Sequence, residues 1–400
     1  VVTLDDYLDR YSGLEAALAS PEAVLNPYPL YRRFLDVPGW RTPSGYLVFS
    51  RYADVMSILR DSASFGQEPL PYPNFHVTNP PEHTRVRKLV ARAFTPRSIK
   101  QQDDKIAGWI EALVDELVEA GSVDFVPDFA QRLSATVITD LLGVPVKDAH
   151  LWYRWMEEIH TLRGYINFLQ PEKDAKAQSV AAAAAAEIAN YFAELIASRK
   201  GTSDDSLVNG LLEAGDANDQ LSEEDVLYAL ALILGAGLGT TANQLGNTLR
   251  LLVDHPDAWA SLRQDPSLAS NVVDEALRFD GTAQAENRMA RKSCVLNGVP
   301  IEAGQPIIIL LAAANRDPAM FAEPDVFDIR RENANQHLGF SSGIHHCLGA
   351  HLARAELVPV FETLARRVED ITFDGSPQYH PFNKLRGHAT LPIRCTAVSK

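Results

Sequence analysis

Cysteine is scarce in this chain, with three in 400 residues, at Cys294, Cys347 and Cys395. An odd, sparse set builds no disulfide framework. With no C-x-x-C pair it also offers neither a closed zinc site nor a thiolate set for an iron–sulfur cluster. It points to a reducing cytosol and a cytoplasmic protein. Positive charge is also short, 37 Lys and Arg against 52 Asp and Glu for a net −15, which argues against nucleic acid as a partner. The first residues, Val1-Val-Thr-Leu-Asp-Asp, lack a basic stretch followed by an apolar run, so neither a signal peptide nor a membrane anchor is expected. No G-x-G-x-x-G follows a strand, and there is no flavin segment, so the chain holds no electron carrier of its own. Repeats and linkers are missing as well. A single domain over residues 1–400 is expected, with 46% hydrophobic residues to build its core.

What is present reads as mainly α with small β-sheets. Strand patterns occur at 46–49, 307–311 and 391–396, and helical patterns fill the middle. The alanine run 181–186 suits a closely packed helix. A long helix is expected from Leu221 to about Val253, opened by a capping box of Ser222 and Asp225. Its apolar part, 226–238, is too short for a bilayer, so the helix is expected to be buried. Gly235, Gly237 and Gly239 sit in its middle, each costing about 1 kcal/mol against alanine. That cost is consistent with close helix packing or with something flat passing the helix there.

The most informative stretch is Phe340-Ser-Ser-Gly343-Ile-His345-His-Cys347-Leu-Gly349, followed at once by a helical pattern at 348–357. Glycines let a main chain approach a sulfur closely, and a helix N-terminus behind Cys347 favours its thiolate. Such a sulfur is suited to haem iron. A buried, inert cysteine is the plain alternative. Zinc is excluded, because His345, His346 and Cys347 are consecutive and cannot all face one ion.

At these residues the chain resembles the cytochrome P450 family, in particular its soluble bacterial members, through the complete pattern F-x-x-G-x-H-x-C-x-G. Further motifs in matching order extend the resemblance from about Pro27 to Pro392. It implies a haem b cofactor held between a long distal helix and a proximal cysteine loop and helix, with Cys347 as the iron ligand. Phe340, Gly349 and Ala236 would flank the haem. His83 and Arg87 in Pro80-Pro81-Glu82-His83-Thr84-Arg85-Val86-Arg87, together with Arg288 and His345, would hold its propionates. Glu275-Ala-Leu-Arg278 matches the family's E-x-x-R helix, with Arg331 as third member of a structural charge network.

On the distal helix the resemblance makes Thr240 the residue that hydrogen-bonds dioxygen and its water. The family usually has a carboxylic acid just before that threonine, and this chain has Gly239, so a water-mediated proton relay through Thr240 or Thr241 is expected. Pocket residues are expected at Phe75 and His76 in a short loop that also holds Tyr72, at Phe168 in the segment 165–168, at Ile233 and Ala236, at Ala283, and at Leu385. Small residues Gly281, Thr282, Ala283 and Ala285 are expected to leave room beside the haem.

The resemblance therefore implies a monooxygenase that inserts one oxygen atom of O2 into a small to medium apolar substrate, an aromatic, terpenoid or branched lipid. Electrons would come from a separate ferredoxin and its NAD(P)H-dependent reductase, and the protein would act as a monomer. Arg85, Lys88, Arg92, Arg97 and Arg354 are candidates for a basic ferredoxin-docking patch, with an ordinary solvated helix face as the alternative. A peroxide-driven enzyme of the same fold and a non-catalytic haem-binding protein are the rival readings.

Overall fold

The computed structural model describes residues 8, 17–18, 20–67, 76–94, 99–148, 150–155, 158, 175–199, 206–213, 221–381 and 384–398. Within them the architecture is mainly helical with small sheets, as the sequence patterns predict. The helices that build the site are α1 (Tyr52–Arg60), α2 (Glu82–Val90), α3 (Asp103–Ala120), α4 (Gln131–Leu142), α5 (Ala175–Arg199), α6 (Glu223–Asp254), α7 (Ala269–Asp280) and α8 (Ala350–Arg367).

The core is organised around α6. Its start is fixed by the expected capping box: the Asp225 amide donates to Ser222 Oγ at 3.0 Å, and the Ser222 amide donates to Asp225 Oδ2 at 3.1 Å. Val226, Leu230, Leu234, Leu238, Leu245, Leu249 and Leu252 recur at helical spacing and are all buried. They pack against α4, α5, α7 and α8. The sequence reading limited the apolar run to 226–238. The helix runs unbroken for 32 residues, close to its expected span, and by length and composition both α6 and the 179–199 part of α5 could cross a membrane. In α6 the apolar side chains are instead taken up by neighbouring helices. In α5, Ala181 and Ala184 are buried while the alanines between them are exposed, so one face of the alanine run packs closely.

The largest sheet has the order β1 (Trp40–Arg41), β2 (Leu47–Phe49), β8 (Pro306–Ile309), β5 (Glu286–Ala290), β3 (Phe65–Gly66). Its pairings are antiparallel except β2 with β8, whose all-apolar registers, Leu47 to Ile307 and Val48 to Ile308, are buried on both faces. Arg288 stands opposite Ile307 in this sheet. A second sheet sets β4 (Ser122–Asp124) and β9 (Val368–Phe373) on either side of β12 (Pro392–Ala397). Two hairpin-like pairs complete the set, β6 (Cys294–Leu296) with β7 (Val299–Ile301) and β10 (Gln378–Tyr379) with β11 (His388–Thr390).

Candidate functional site

The Cys347 loop lies between the end of α1 and the start of α8. Gly343 is required there twice over. Its φ is +70°, and a Cβ would collide with the Leu59 carbonyl of α1. Ser341 also has a positive φ, +58°. The Cys347 amide donates to the Phe340 carbonyl at 2.8 Å and closes the loop. Helix α8 begins at Ala350, two residues later than the sequence pattern suggested, with Gly349 as its N-cap. Gly349 has an ordinary φ of −84°, so it is not the backbone that requires glycine there. No described protein atom lies within 4 Å of where its Cβ would stand.

Burial pushes the Cys347 thiol up, while the Gly349 amide, Arg87 and Arg354 pull the other way. The cysteine as a residue nevertheless keeps accessible surface and is not packed into the core. A neutral buried thiol is the stable form without a cation, and a coordinated metal ion inverts that preference.

His83, Arg87, Arg288 and His345 converge beside this loop, with His76 next to them. The His83 and His345 rings lie 4.3 Å apart between centroids, His76 lies 6.3 Å from His345, and Arg87 donates to the His346 carbonyl. Arg288 is buried and gives one nitrogen to Glu286 Oε2 at 2.8 Å and to the Asn287 carbonyl at 2.7 Å. Both His83 ring nitrogens, His345 Nδ1 and the second terminal nitrogen of Arg288 are buried without a hydrogen-bond partner among the described residues. Burial, reinforced by the neighbouring arginines, lowers His83 to about 4 and His345 to about 2. Each neutral imidazole has one N–H to give, and these together with the free Arg288 nitrogen, under positive potential, suit an anionic group that would accept from them. Two carboxylates carried by a flat group facing the Cys347 sulfur fit this donor set, so the residues present fit a haem. Glu286 adds a carboxylate to the cluster. Burial raises its pKa, but Arg288, His76 and Lys384 outweigh that and hold it low.

On α6, Ala236 is exposed and Thr240 is half-buried one turn on, and the Thr240 hydroxyl donates to the Ala236 carbonyl at 2.6 Å. Gly239 is half-buried beside them, whereas Thr241 is buried. Gly237 does not make room for a flat group. A Cβ there would stand 2.8 Å from Ile138 Cδ1 of α4, so that glycine serves helix packing.

Glu275 accepts from Arg278 at 2.7 and 2.8 Å, from Arg331 Nε at 3.1 Å and from the Asp328 amide at 2.9 Å. Arg278 donates to the carbonyls of Asn315, Pro324 and Val326, and Arg331 donates to those of Ala322, Glu323 and Val326. The network therefore grips the segment 315–331. It reaches the cysteine loop through Asn315, whose Oδ1 accepts the Leu338 amide at 2.7 Å.

Two residues on the same side were not apparent from the sequence. Asp274 accepts from Arg354 at 2.7 Å and lies 3.4 Å from His337 Nε2. Arg85, another candidate docking cation, is paired with Glu82 at 2.8 Å and Asp225 at 3.0 Å. Lys88 is exposed, while the Arg92 side chain and Arg97 lie outside the described residues.

Of the expected pocket residues, Ala283 and Leu385 form a β-bridge with each other. Ile233 is packed into the main core, and His76 lies beside the His345 and Glu286 cluster. Tyr72, Phe75 and Phe168, with the segment 165–168, lie outside the described residues. The small residues after α7 leave less space than expected. A Cβ on Gly281 would collide with the Leu277 carbonyl, Thr282 is buried and hydrogen-bonded, and Ala285 belongs to a second core.

A sequence model of the family described as Cytochrome P450 matches residues 59–370. The chain is 34% identical to the cytochrome P450 monooxygenase PikC of Streptomyces venezuelae, over 95% of this chain and 94% of that protein. It is 32% identical to the biotin biosynthesis cytochrome P450 of Bacillus subtilis (strain 168), over 95% and 99%. Among solved structures, P450BioI in complex with hexadec-9Z-enoic acid ligated acyl carrier protein superposes with a TM-score of 0.87 at 30% identity, covering 94% of this chain and 100% of that one.

Proposed function

The chain belongs to the cytochrome P450 family of haem b monooxygenases, and on that premise we propose that it inserts one oxygen atom of O2 into a small to medium apolar substrate, with electrons from a separate ferredoxin and NAD(P)H-dependent reductase. The observation that carries the assignment to this site is the set of unpartnered buried donors on His83, His345 and Arg288 beside the Cys347 loop. Haem b, when bound, supplies O2 activation at a thiolate-ligated iron.

The protein's own residues do the rest. Cys347 is the ligand, and the Gly349 amide with the charges of Arg87 and Arg354 favours its thiolate. His83, Arg87, Arg288 and His345 hold the propionates, while Phe340, Gly349 and Ala236 flank the ring. Glu275, Arg278 and Arg331 keep the segment leading into the loop rigid. Thr240 donates its hydroxyl proton to the Ala236 carbonyl, which leaves its oxygen free to accept from a water. With Gly239 in place of an acid, protons reach that oxygen through water, with Thr241 as a further relay candidate.

The substrate class is an aromatic, terpenoid or branched lipid. The acyl chain tethered in the P450BioI complex supports including long lipids in any panel. Phe75, His76, Phe168, Ile233, Ala283 and Leu385 are the proposed contacts, and the protein is proposed to work as a cytoplasmic monomer. Gly239 also favours a second reading, a peroxide-driven enzyme with no need of a proton relay. Titration of the ferric protein with aromatics, terpenoids, fatty acids and steroids tests the substrate class, a saturable low-spin to high-spin shift being the expected result. Turnover with peroxide matching or exceeding turnover with ferredoxin would favour the second reading.

A further inference from the structure

We infer that Gln244, on the buried side of α6, is a positioning residue that sets how far two substrate-side wall segments stand from the distal helix, and thereby selects ligand size. This rests on reading 281–285 and 384–387 as walls of the haem pocket.

Gln244 is 2% exposed, on a buried helix face that it shares with Thr241, Asn247 and Thr248. A primary amide there is costly unless both ends are paired, and both are. Its Oε1 accepts the Thr282 amide at 2.9 Å and lies 3.3 Å from the Thr282 hydroxyl. Its Nε2 donates to Thr248 Oγ1 at 3.3 Å. The Thr282 hydroxyl has one proton to share between Gln244 Oε1 and the Thr240 carbonyl, 3.4 Å away. The same amide thus ties the first wall to the turn of α6 that carries Thr240.

The second wall is joined to the first. Ala283 bridges Leu385, the Gln284 amide donates to the Lys384 carbonyl at 2.9 Å, and the Arg386 amide donates to the Thr282 carbonyl at 2.7 Å. Asn247, nearly one turn beyond Gln244, uses both amide hydrogens as a second fastening, to the carbonyls of Asp280 and Arg386 at 3.2 Å each. Gly387 lies so close to Asn243 that a Cβ could not be accommodated without movement. The two segments therefore form one short ribbon fastened to α6 at two points. Gln244 holds the point nearest Thr240.

The test uses two iron-binding probes on the haem-loaded protein, imidazole and the bulkier phenylimidazole, titrated by the Soret shift. Gln244→Leu removes the acceptor for the Thr282 amide, and Gln244→Asn keeps polarity but shortens the reach, so either suffices if the other does not fold. Gln244→Glu keeps the acceptor for Thr282 and, as the neutral acid that burial favours, a donor to Thr248. We expect Leu and Asn variants to change the phenylimidazole Kd by about fivefold or more while imidazole stays within about twofold, and Glu to stay near wild type for both. Equal changes for both probes, or none with only a lower melting temperature, would overturn the inference and leave Gln244 a structural residue. A wild-type protein that shifts with neither probe would sink the haem-pocket reading itself.

Discussion

Arg354 of α8 lies 4.7 Å over the ring of Phe340 in the cysteine loop, with its guanidinium held by Asp274 at 2.7 Å. A cation that looks from the sequence like a docking charge is therefore also a brace for the loop that carries Cys347. Arg354→Leu should lower stability by about 1–2 kcal/mol and increase haem loss to apomyoglobin. A change confined to ferredoxin affinity, with haem retention intact, would return Arg354 to the docking patch.

Gly343 combines a φ of +70° with contact against the Leu59 carbonyl. Gly343→Ala should cost about 1–3 kcal/mol from backbone strain alone and more from the collision. Urea denaturation gives the stability, and the reduced carbon monoxide spectrum should show a smaller thiolate-type Soret band.

The side chains of Glu275 and Arg278 are fully buried, and that of Arg331 nearly so. Removing one partner leaves an uncompensated buried charge, so Arg331→Leu should destabilise by about 3–5 kcal/mol. Chemical denaturation followed by helical circular dichroism measures this. A loss below about 1 kcal/mol would mean the network is not what holds the segment 315–331.

His83 is lowered from 6.5 to about 4, first by burial and then by Arg87 and His76. Between those values the unfolded chain binds more protons than the native one. Its contribution is therefore full above the unfolded pKa and is lost as pH falls toward the native value. In the haem-free protein, wild type should lose more stability than His83→Gln as pH drops from about 7 to about 4.5, measured by denaturant midpoints. Haem should reduce the difference, because an accepting propionate favours the charged imidazole.

Thr240→Ala removes the hydroxyl that is held to the Ala236 carbonyl at 2.6 Å. If Thr240 positions the relay water, product formed per NADH consumed should fall severalfold, about what loss of a positioned proton-transfer group produces, while substrate-induced spin shifts stay the same. An unchanged ratio would remove Thr240 from the relay.

Local patterns were legible wherever one short segment carries the whole constraint. The cysteine loop, the capping box of Ser222 and Asp225, the E-x-x-R pair on α7 and the apolar periodicity of α6 depend on spacing within a turn or two. The sequence is therefore sufficient to read them. The apolar part of α6 extends past the expected 226–238, because Leu245, Leu249 and Leu252 beyond Thr240 and Thr241 are buried as well.

The sequence by itself determined the fold class, the family and the residue types at the site. Tertiary structure decided which of those residues meet. It turned Gly237 toward Ile138, closed Gly281 onto Leu277, gave Arg354 to Asp274 and Gln244 to Thr282, and left the buried donors of His83, His345 and Arg288 facing one another without an acceptor among the described residues. The physical reason is that burial and hydrogen-bond pairing are properties of atoms brought together from distant parts of the chain. No local periodicity encodes which polar group will find a partner and which will wait for a cofactor.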